Sequence, residues 1–244
     1  MKTEIVRNWG YMGPGDVYGD LKITDGQCFA GFTAGVLVSA SAEYKPVGHI
    51  ANALSFDYGV RYAVVKSITD CSADEETIIN EIKEKVLQLE MEGCRFIVSD
   101  GGTFGKYQKL VSSMVDLPVY MTSLMQLKWI KTGLKSTENI LILSGLSADE
   151  TARIFESCGI DEEDYENCVF FQVDKTTMNA EAVFEYLERH HIIKENNIKA
   201  VLLDTELFAG CDVKSRLGVN VWDMHKLMGY VKKAVCQKPR HGFL

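Results

Sequence analysis

The feature that most constrains this chain is an internal repeat of strand-like segments that end in aspartate. The apolar run Phe96–Ser99 is closed by Asp100, and the run Ala200–Leu203 is closed by Asp204, 104 positions later. In both copies a phenylalanine follows four positions on, and a valine–aromatic pair comes after a helix-sized interval. Two equivalent strand ends of this kind predict two related halves that face each other across one site.

The rest of the chain repeats the same alternation of strands and helices. The predicted strands are Gly35–Ser39, Tyr62–Val65, Phe96–Ser99 and Pro118–Tyr120, then Ile140–Leu143, Cys168–Phe171, Ala200–Leu203 and Val219–Trp222. Strands that alternate with helices indicate parallel sheets covered on both faces. The prediction is an α/β protein of two pseudo-symmetric three-layer halves that arose by duplication. We assign residues 1–31 to an N-terminal arm, 32–134 to the first half and 135–244 to the second, with the C-terminal helix expected to pack back on the first half.

Two Ser-Ala-Asp-Glu segments predict helix starts. In Ser72–Glu75 and Ser147–Glu150 the serine and the glutamate are spaced as in a capping box, where each side chain bonds a backbone N–H of the first turn. Gly93 and Gly159 are natural C-terminal stops for the helices that follow. Both halves therefore contain a long amphipathic helix after a strand.

Composition excludes several classes of function. The net charge of −8, without a clustered Lys/Arg run, argues against nucleic-acid binding. Seven cysteines without a CxxC pair fit reduced thiols, and no apolar run is long enough for a membrane span, so we expect a cytoplasmic protein without membrane contact. His190-His191 lacks a third metal ligand, and we expect no metal and no cofactor. A homo-oligomer is compatible with the sequence.

The repeated turns are the predicted site, because ligands of parallel sheets bind beyond the carboxyl ends of the strands. Asp100 and Glu206 border this position and are candidate general acids or bases if burial raises their pKa. The alternative for either carboxylate is a capping role at the next helix. We expect Cys211 to lie more than a turn inside the following helix and to be a packed residue, as is Cys94.

Four segments carry a family resemblance. Pro46–Asn52 resembles a Pro-x-Gly-Asp-Ile-Gly-Asn loop, and Gly59–Tyr62 resembles a Phe-Pro-Val-Arg-Tyr strand entry. Asp100–Gln108 is similar to Ser-Cys-Gly-Phe-Leu-Ala-Leu-Phe-Gln, and Leu117–Leu124 to Pro-Val-Phe-Thr-Ser-Ser-Leu. These patterns are those of the aspartate/glutamate racemase superfamily, which includes hydantoin racemases. The resemblance runs from about Gly35 to Val235 and implies cofactor-independent chemistry with one catalytic cysteine in each half.

The departures from the family pattern concern the chemistry itself. The resemblance aligns Gly101 with the first catalytic cysteine and Thr205 with the second, so both thiols are missing. His49 replaces an aspartate in the first loop. The superfamily includes decarboxylases with a glycine at the first position, but those keep the second cysteine. A two-thiol racemisation is therefore excluded, since neither glycine nor an unaided threonine hydroxyl is a sufficient base.

The resemblance also implies which residues bind and react. Those implied to hold a substrate carboxylate are Ser39, Gly101, Gly102, Thr103, Thr122, Ser123 and Ser144. The candidate catalytic residues are Asp100, Glu206 and Thr205, whereas Asp204 is interpreted as structural or polarising. The predicted function is a cysteine-independent isomerase, lyase or decarboxylase that acts on a small carboxylate or an amino-acid-like metabolite. The alternative is an inactive homologue that binds a metabolite or a partner protein.

Overall fold

The architecture is described by a computed structural model that covers residues 31–174 and 176–236. The predicted arm, residues 1–31, therefore falls outside the described residues except for its last position. The strands are β1 Ala34–Ser39, β2 Val60–Val65, β3 Ile97–Ser99, β4 Val119–Tyr120, β5 Asn139–Ser144, β6 Cys168–Gln172, β7 Ile198–Asp204 and β8 Asn220–Trp222. The helices are α1 Glu75–Met91, α2 Gln108–Ser112, α3 Leu127–Thr132, α4 Ala148–Ser157, α5 Glu162–Tyr165, α6 Ala180–Arg189, α7 Ile192–Glu195, α8 Val213–Leu217 and α9 Met224–Val235.

The strands form two four-stranded sheets of the same topology. The first has the order β2-β1-β3-β4, the second has the order β6-β5-β7-β8, and every pairing is parallel. All eight strands coincide with the predicted segments to within two residues at either end. The predicted α/β class with two equivalent halves is confirmed.

Alternate residues of each strand face opposite sides of its sheet and bury both. In the first sheet Leu37 and Ile97 belong to the cluster with α1 and α2, while Val36 and Val98 belong to a separate cluster. The second cluster includes Met228 of α9, so α9 of the second half covers the first sheet.

The reverse exchange occurs at the end of the first half. Leu124, Leu127 and Ile130, from α3 and the turn before it, share a buried cluster with Ile142 and Leu202 of the second sheet. Each half therefore contributes its last helix to the core of the other. This reciprocal packing fixes how the two strand ends face each other.

One of the two predicted capping boxes is confirmed and one is wrong. At α4 the Ser147 side chain and the Glu150 side chain bond each other's backbone N–H groups as predicted. At α1 the N-cap is Asp74, which accepts from Thr77 N at 2.8 Å, so the helix begins at Glu75. Ser72 instead donates its hydroxyl to Asp70, because the chain forms an Asx-type turn two residues before the helix.

The segments that follow β3, β4 and β7 open as 3₁₀ turns, Gly102–Tyr107, Ser123–Gln126 and Glu206–Phe208, before any α-helix begins. A 3₁₀ turn keeps the chain close to the strand end. Across the described ranges, no helix combines the length and the apolar character that crossing a bilayer requires.

Candidate active site

Matching serine–aspartate pairs occupy the carboxyl ends of the central strands. The Ser39 N–H and hydroxyl donate to Asp100 at 3.0 and 3.3 Å, and the Ser144 hydroxyl donates to Asp204 at 3.3 Å. Each pair joins the two central strands of its sheet, β1 with β3 and β5 with β7. This is the point where the strand order reverses, which is the usual ligand position in open parallel sheets.

Asp204 also joins the two halves. Its Oδ1 accepts from Thr122 Oγ1 at 2.8 Å and from Ser123 Oγ at 3.0 Å, both in the turn after β4 of the first half. Ser123 lies close to the Leu203 carbonyl as well, at 2.7 Å. The carboxylate of one half is thus held by hydroxyls of both halves, and it is buried to 8% exposure.

The residues implied to hold a substrate occupy different parts of this arrangement. Gly101, Gly102, Thr122 and Ser123 line the cavity between the strand ends. Ser39 and Ser144 lie behind the two aspartates and bond them, as do the Thr122 and Ser123 hydroxyls. Thr103 is exposed and is absent from the cavity lining. Four of the implied hydroxyls therefore shape the site by fixing Asp100 and Asp204.

The two positions aligned with the family cysteines have the same backbone geometry. Gly101 has φ −157° and ψ 150°, and Thr205 has φ −152° and ψ 142°, and each precedes a 3₁₀ turn. The Thr205 hydroxyl accepts from Leu207 N at 3.4 Å and thereby caps that turn. A side chain at either position would start from an equivalent place in its own half.

A carboxylate occupies the space in front of Gly101. A Cβ built on Gly101 would lie 3.4 Å from Glu206 Oε1, which is ordinary van der Waals contact. Glu206 belongs to the second half and directly follows Thr205. The second half thus supplies an acidic side chain where the resemblance leads one to expect a thiol of the first half.

Both buried aspartates have pKa values shifted towards neutrality. Burial, reinforced by the charge of Glu206, raises the pKa of Asp100 from 3.8 to about 6, and the Ser39 hydrogen bonds oppose the shift. Burial likewise raises the pKa of Asp204 to about 6 against its three hydroxyl donors. Carboxyl groups with pKa values near the working pH are suited to exchange protons with a substrate.

The cavity between the strand ends has a volume of about 420 Å³, within the range of small-molecule sites. Its charged lining consists of Asp100, Asp204, Glu206, Asp212, Asp223, Lys214 and Lys226, with His49 and His225 beside them. Lys226 Nζ lies 2.6 Å from Asp223, whereas Lys214 forms no ion pair within 4.0 Å in the described part of the chain. In the same part no group of three His, Cys, Asp or Glu side chains is arranged to hold a metal ion.

The prediction for Cys211 is wrong both in its placement and in its packing. Cys211 lies in the loop before α8, because Asp212 caps that helix by accepting from Ser215 N at 3.1 Å. Its side chain is exposed and lines the cavity, and partial burial raises the pKa of the thiol. Cys94 is fully buried with a pKa raised to about 12, as expected for a packed residue.

The lining residues that sequence reasoning missed come from two loops and from the start of α9, which contributes Asp223 and Lys226. His49 and Gly48 belong to the loop after β1, and Asp212 and Lys214 belong to the segment after Phe208. The loops touch where Gly48, with φ 102°, meets Gly210, with φ 79°. A Cβ on Gly48 would lie 2.6 Å from Gly210 N, so this close approach requires glycine. The one sequence signal for this loop was His49, which replaces an aspartate of the family pattern.

Gly102 gives a prediction about the packing of the two halves. A Cβ on Gly102 would lie 2.3 Å from Asp204 Oδ2, and the hydroxyls that hold this carboxylate prevent it from moving away. Gly102→Ala is expected to lower the free energy of unfolding by roughly 1–3 kcal/mol, as overpacking does elsewhere. Gly101→Ala is the matched control, since its Cβ makes only an ordinary contact. Equal urea midpoints for the two variants would contradict the close approach.

Comparison with solved structures identifies the architecture. Allantoin racemase from Klebsiella pneumoniae superposes with a TM-score of 0.59 at 16% identity, covering 86% of this chain and 91% of that one. An aspartate racemase homologue from Pyrococcus horikoshii gives 0.58 at 13% identity, covering 82% and 99%. The chain has the aspartate/glutamate racemase fold. Unliganded arylmalonate decarboxylase shares this racemase fold, with a TM-score of 0.51 at 13% identity over 83% of this chain and 91% of that one.

Curated relatives with sequence similarity are lyases. Dimethylsulfoniopropionate lyase 5 of Emiliania huxleyi is 26% identical over 212 residues, which is 75% of this chain and 42% of the relative. Dimethylsulfoniopropionate lyase 7 of the same organism is 31% identical over 130 residues, 50% of this chain and 38% of the relative. The chain therefore spans about two fifths of the length of these relatives. No protein-family model matches it.

Proposed function

We propose that this protein is an enzyme that moves protons on a small carboxylate substrate with carboxyl groups in place of thiols, as a lyase or decarboxylase. The observation that carries the proposal is the Glu206 carboxylate in front of Gly101, where the resemblance implies a catalytic thiol. The neighbouring Asp100, with its pKa raised to about 6, supports it. Lyases among the sequence relatives and a decarboxylase with the same fold agree with this reaction class.

Both reaction types pass through an enolate, and both need a protein group that exchanges one proton with the enolate carbon. A lyase removes the proton beside a carboxylate, the C–H electron pair forms an enolate, and a substituent on the next carbon leaves with its bonding electrons. A decarboxylase forms a similar enolate by loss of CO₂ and then protonates it. In the proposal Glu206 takes or returns the proton, Asp100 is the second acid–base group, and Thr205 orients the ligand from the turn that it caps.

The proposal assigns the substrate carboxylate to Lys214. The hydroxyls of Ser39, Thr122, Ser123 and Ser144 already contact aspartates, so they offer little to a second anion. Of the two lysines that line the cavity, Lys226 is paired with Asp223. Lys214→Met is expected to raise KM about tenfold, the usual size of a lost charge-assisted contact, and to leave kcat nearly unchanged.

Lys226→Met is the matched control for this prediction. It removes a lysine from the same cavity, but one whose charge is already used by Asp223, so KM is expected to stay within about twofold, in keeping with the small worth of exposed pairs. Steady-state kinetics of both variants with one substrate decide the assignment. A larger KM increase for Lys226→Met than for Lys214→Met would overturn it.

The proposed activity is tested by incubating the protein in D₂O with a panel of small carboxylates and related compounds. The panel contains aspartate, glutamate, hydantoins, arylmalonates and dimethylsulfoniopropionate, and NMR follows deuterium incorporation beside the carboxylate, loss of CO₂ and loss of a substituent. The proposal predicts turnover of at least one member. The second candidate, an inactive binding protein, is favoured by the absence of both thiols. It predicts no exchange with any compound, but a rise in melting temperature with a ligand.

A further inference from the structure

The loop Pro46–Phe56, which forms one wall of the cavity, is braced by its own hydrogen bonds. Gly48 N donates to Ser55 Oγ at 2.9 Å, and this hydroxyl donates to the His49 carbonyl at 2.7 Å. Ser55 thus closes the loop on itself. The loop carries His49, 3% exposed, whose Nδ1 accepts the Ala51 N–H at 2.9 Å. These bonds fix the shape of the loop but do not attach it to the rest of the site.

The loop is attached to β2 at Ile50, whose carbonyl accepts the Tyr62 hydroxyl at 3.1 Å, and at its other end to the second half by His225 in the first turn of α9. The Nε2 of His225 lies 2.9 Å from the Ser55 carbonyl oxygen, and its ring stacks on Phe56 with centroids 5.1 Å apart and planes 18° apart. A carbonyl oxygen only accepts hydrogen bonds, so Nε2 carries the hydrogen. Both contacts of His225 reach the same end of the loop, one to its backbone and one to its side chain.

Helix α9 is itself firmly placed, so it is a suitable anchor. Asp223 caps it by accepting Lys226 N at 2.7 Å, and Leu227, Met228 and Val231 pack against the first sheet. His225 lies two residues after the cap and two before Leu227, so its backbone position is set by the packed helix. The anchor is encoded at the far end of the chain from the loop that it holds.

We propose that His225 is a positioning residue that fastens the Pro46–Phe56 loop over the cavity, and that it takes no part in proton transfer. A histidine that lines such a cavity is otherwise an obvious acid or base. Its Nε2–H, however, is committed to the Ser55 carbonyl, and its ring face to Phe56. As far as activity is concerned, the inference rests on the proposed function, but the attachment of the loop exists without any substrate.

Two variants separate positioning from acid–base chemistry. His225→Gln keeps an N–H near the position of Nε2 and cannot titrate, whereas His225→Phe keeps the stacking on Phe56 and loses the N–H. Lys232→Met is the control. It removes another contact of α9, the ion pair of Lys232 Nζ with Asp57 at 2.6 Å, and Asp57 lies just after the loop. Hydrogen exchange of the 46–56 peptide, measured without ligand, reports loop opening directly.

The expected result is exchange at least about tenfold faster in His225→Phe, because one tethering hydrogen bond of about 1.4 kcal/mol is lost, with His225→Gln and Lys232→Met close to wild type. Unchanged protection in His225→Phe would overturn the proposal, whether or not the protein turns over any compound of the panel. With a substrate in hand, His225→Gln is expected to retain activity and the wild-type pH profile, while His225→Phe loses kcat/KM. Loss of activity in His225→Gln with the loop still protected would make His225 an acid–base group and would also contradict the proposal.

Discussion

Glu206→Gln is expected to lower kcat by about 10²–10⁴-fold, the range over which a positioned acid–base group contributes to a reaction. Glutamine keeps the size and shape of the side chain in front of Gly101 but accepts no proton at neutral pH. The fold is expected to survive, because Glu206 is half-buried and lies in a short 3₁₀ turn capped by Thr205. Steady-state kinetics with the best compound of the panel measure the effect, and circular dichroism checks the fold.

Asp212→Asn is the matched control for the Glu206 variant. Asp212 also lines the cavity, but its side chain caps α8, and asparagine caps helices equally well. Its kcat is expected to stay within about threefold of wild type, since no contact of the order of 1 kcal/mol is lost. Equal losses in the two variants would show that any change of charge in the cavity lowers turnover, and the special role of Glu206 would be wrong.

Asp204→Asn is expected to change how stability depends on pH. Burial raises the pKa of Asp204 to about 6 in the native state, against 3.8 for the unfolded chain. Between these values the native state binds more protons than the unfolded state, so the free energy of unfolding falls as pH rises through that window. Asparagine removes this contribution, and the stability of the variant relative to wild type is expected to rise by roughly 2 kcal/mol from pH 4 to pH 7.

Asparagine is also a fair substitute in shape. Its Oδ1 accepts from Thr122 and Ser123, and its amide donates to Ser144, so the network between the halves is kept. Asp212→Asn serves again as control, because the Ser215 contact lowers the pKa of Asp212. Any pH-dependent difference in stability between this variant and wild type then appears below about pH 4, and the stability of the variant relative to wild type falls there as pH rises. Urea unfolding at several pH values measures both, and parallel pH curves for wild type and Asp204→Asn would contradict a buried, shifted Asp204.

Much of the fold was readable from the sequence because the duplication repeats every strand signal. Runs such as Phe96–Ser99 and Ala200–Leu203 are buried on both faces, and their terminal aspartates do lie at the strand ends. The start of α1 was misjudged because Asp74 competes with Ser72 for the cap, and local spacing alone does not decide between two good capping residues. The 3₁₀ openings were missed because packing between halves, which the chain shows only once folded, holds those turns.

The location of the site could be predicted from the sequence, but the contacts within it could not. The sequence placed Asp100, Gly101 and Glu206 near one cleft, but no local pattern shows that Glu206 extends in front of Gly101, since the two belong to different halves. The hydroxyls that hold Asp204 across that boundary are hidden for the same reason. Contacts such as that of His225 with Ser55 join residues far apart in sequence and follow only from the packing of α9.

The most direct test of the account is deuterium exchange in D₂O by Glu206→Gln and by Gly101→Cys/Glu206→Gln, both with Cys211 replaced by serine so that no native thiol of the cavity interferes. A Cβ at position 101 starts 3.4 Å from the Glu206 carboxylate, so a thiol there reaches the same space. If Glu206 performs the proton transfer, the single variant loses exchange and the double variant regains part of it, in a form that iodoacetamide abolishes. Exchange at the wild-type rate in Glu206→Gln would contradict the account.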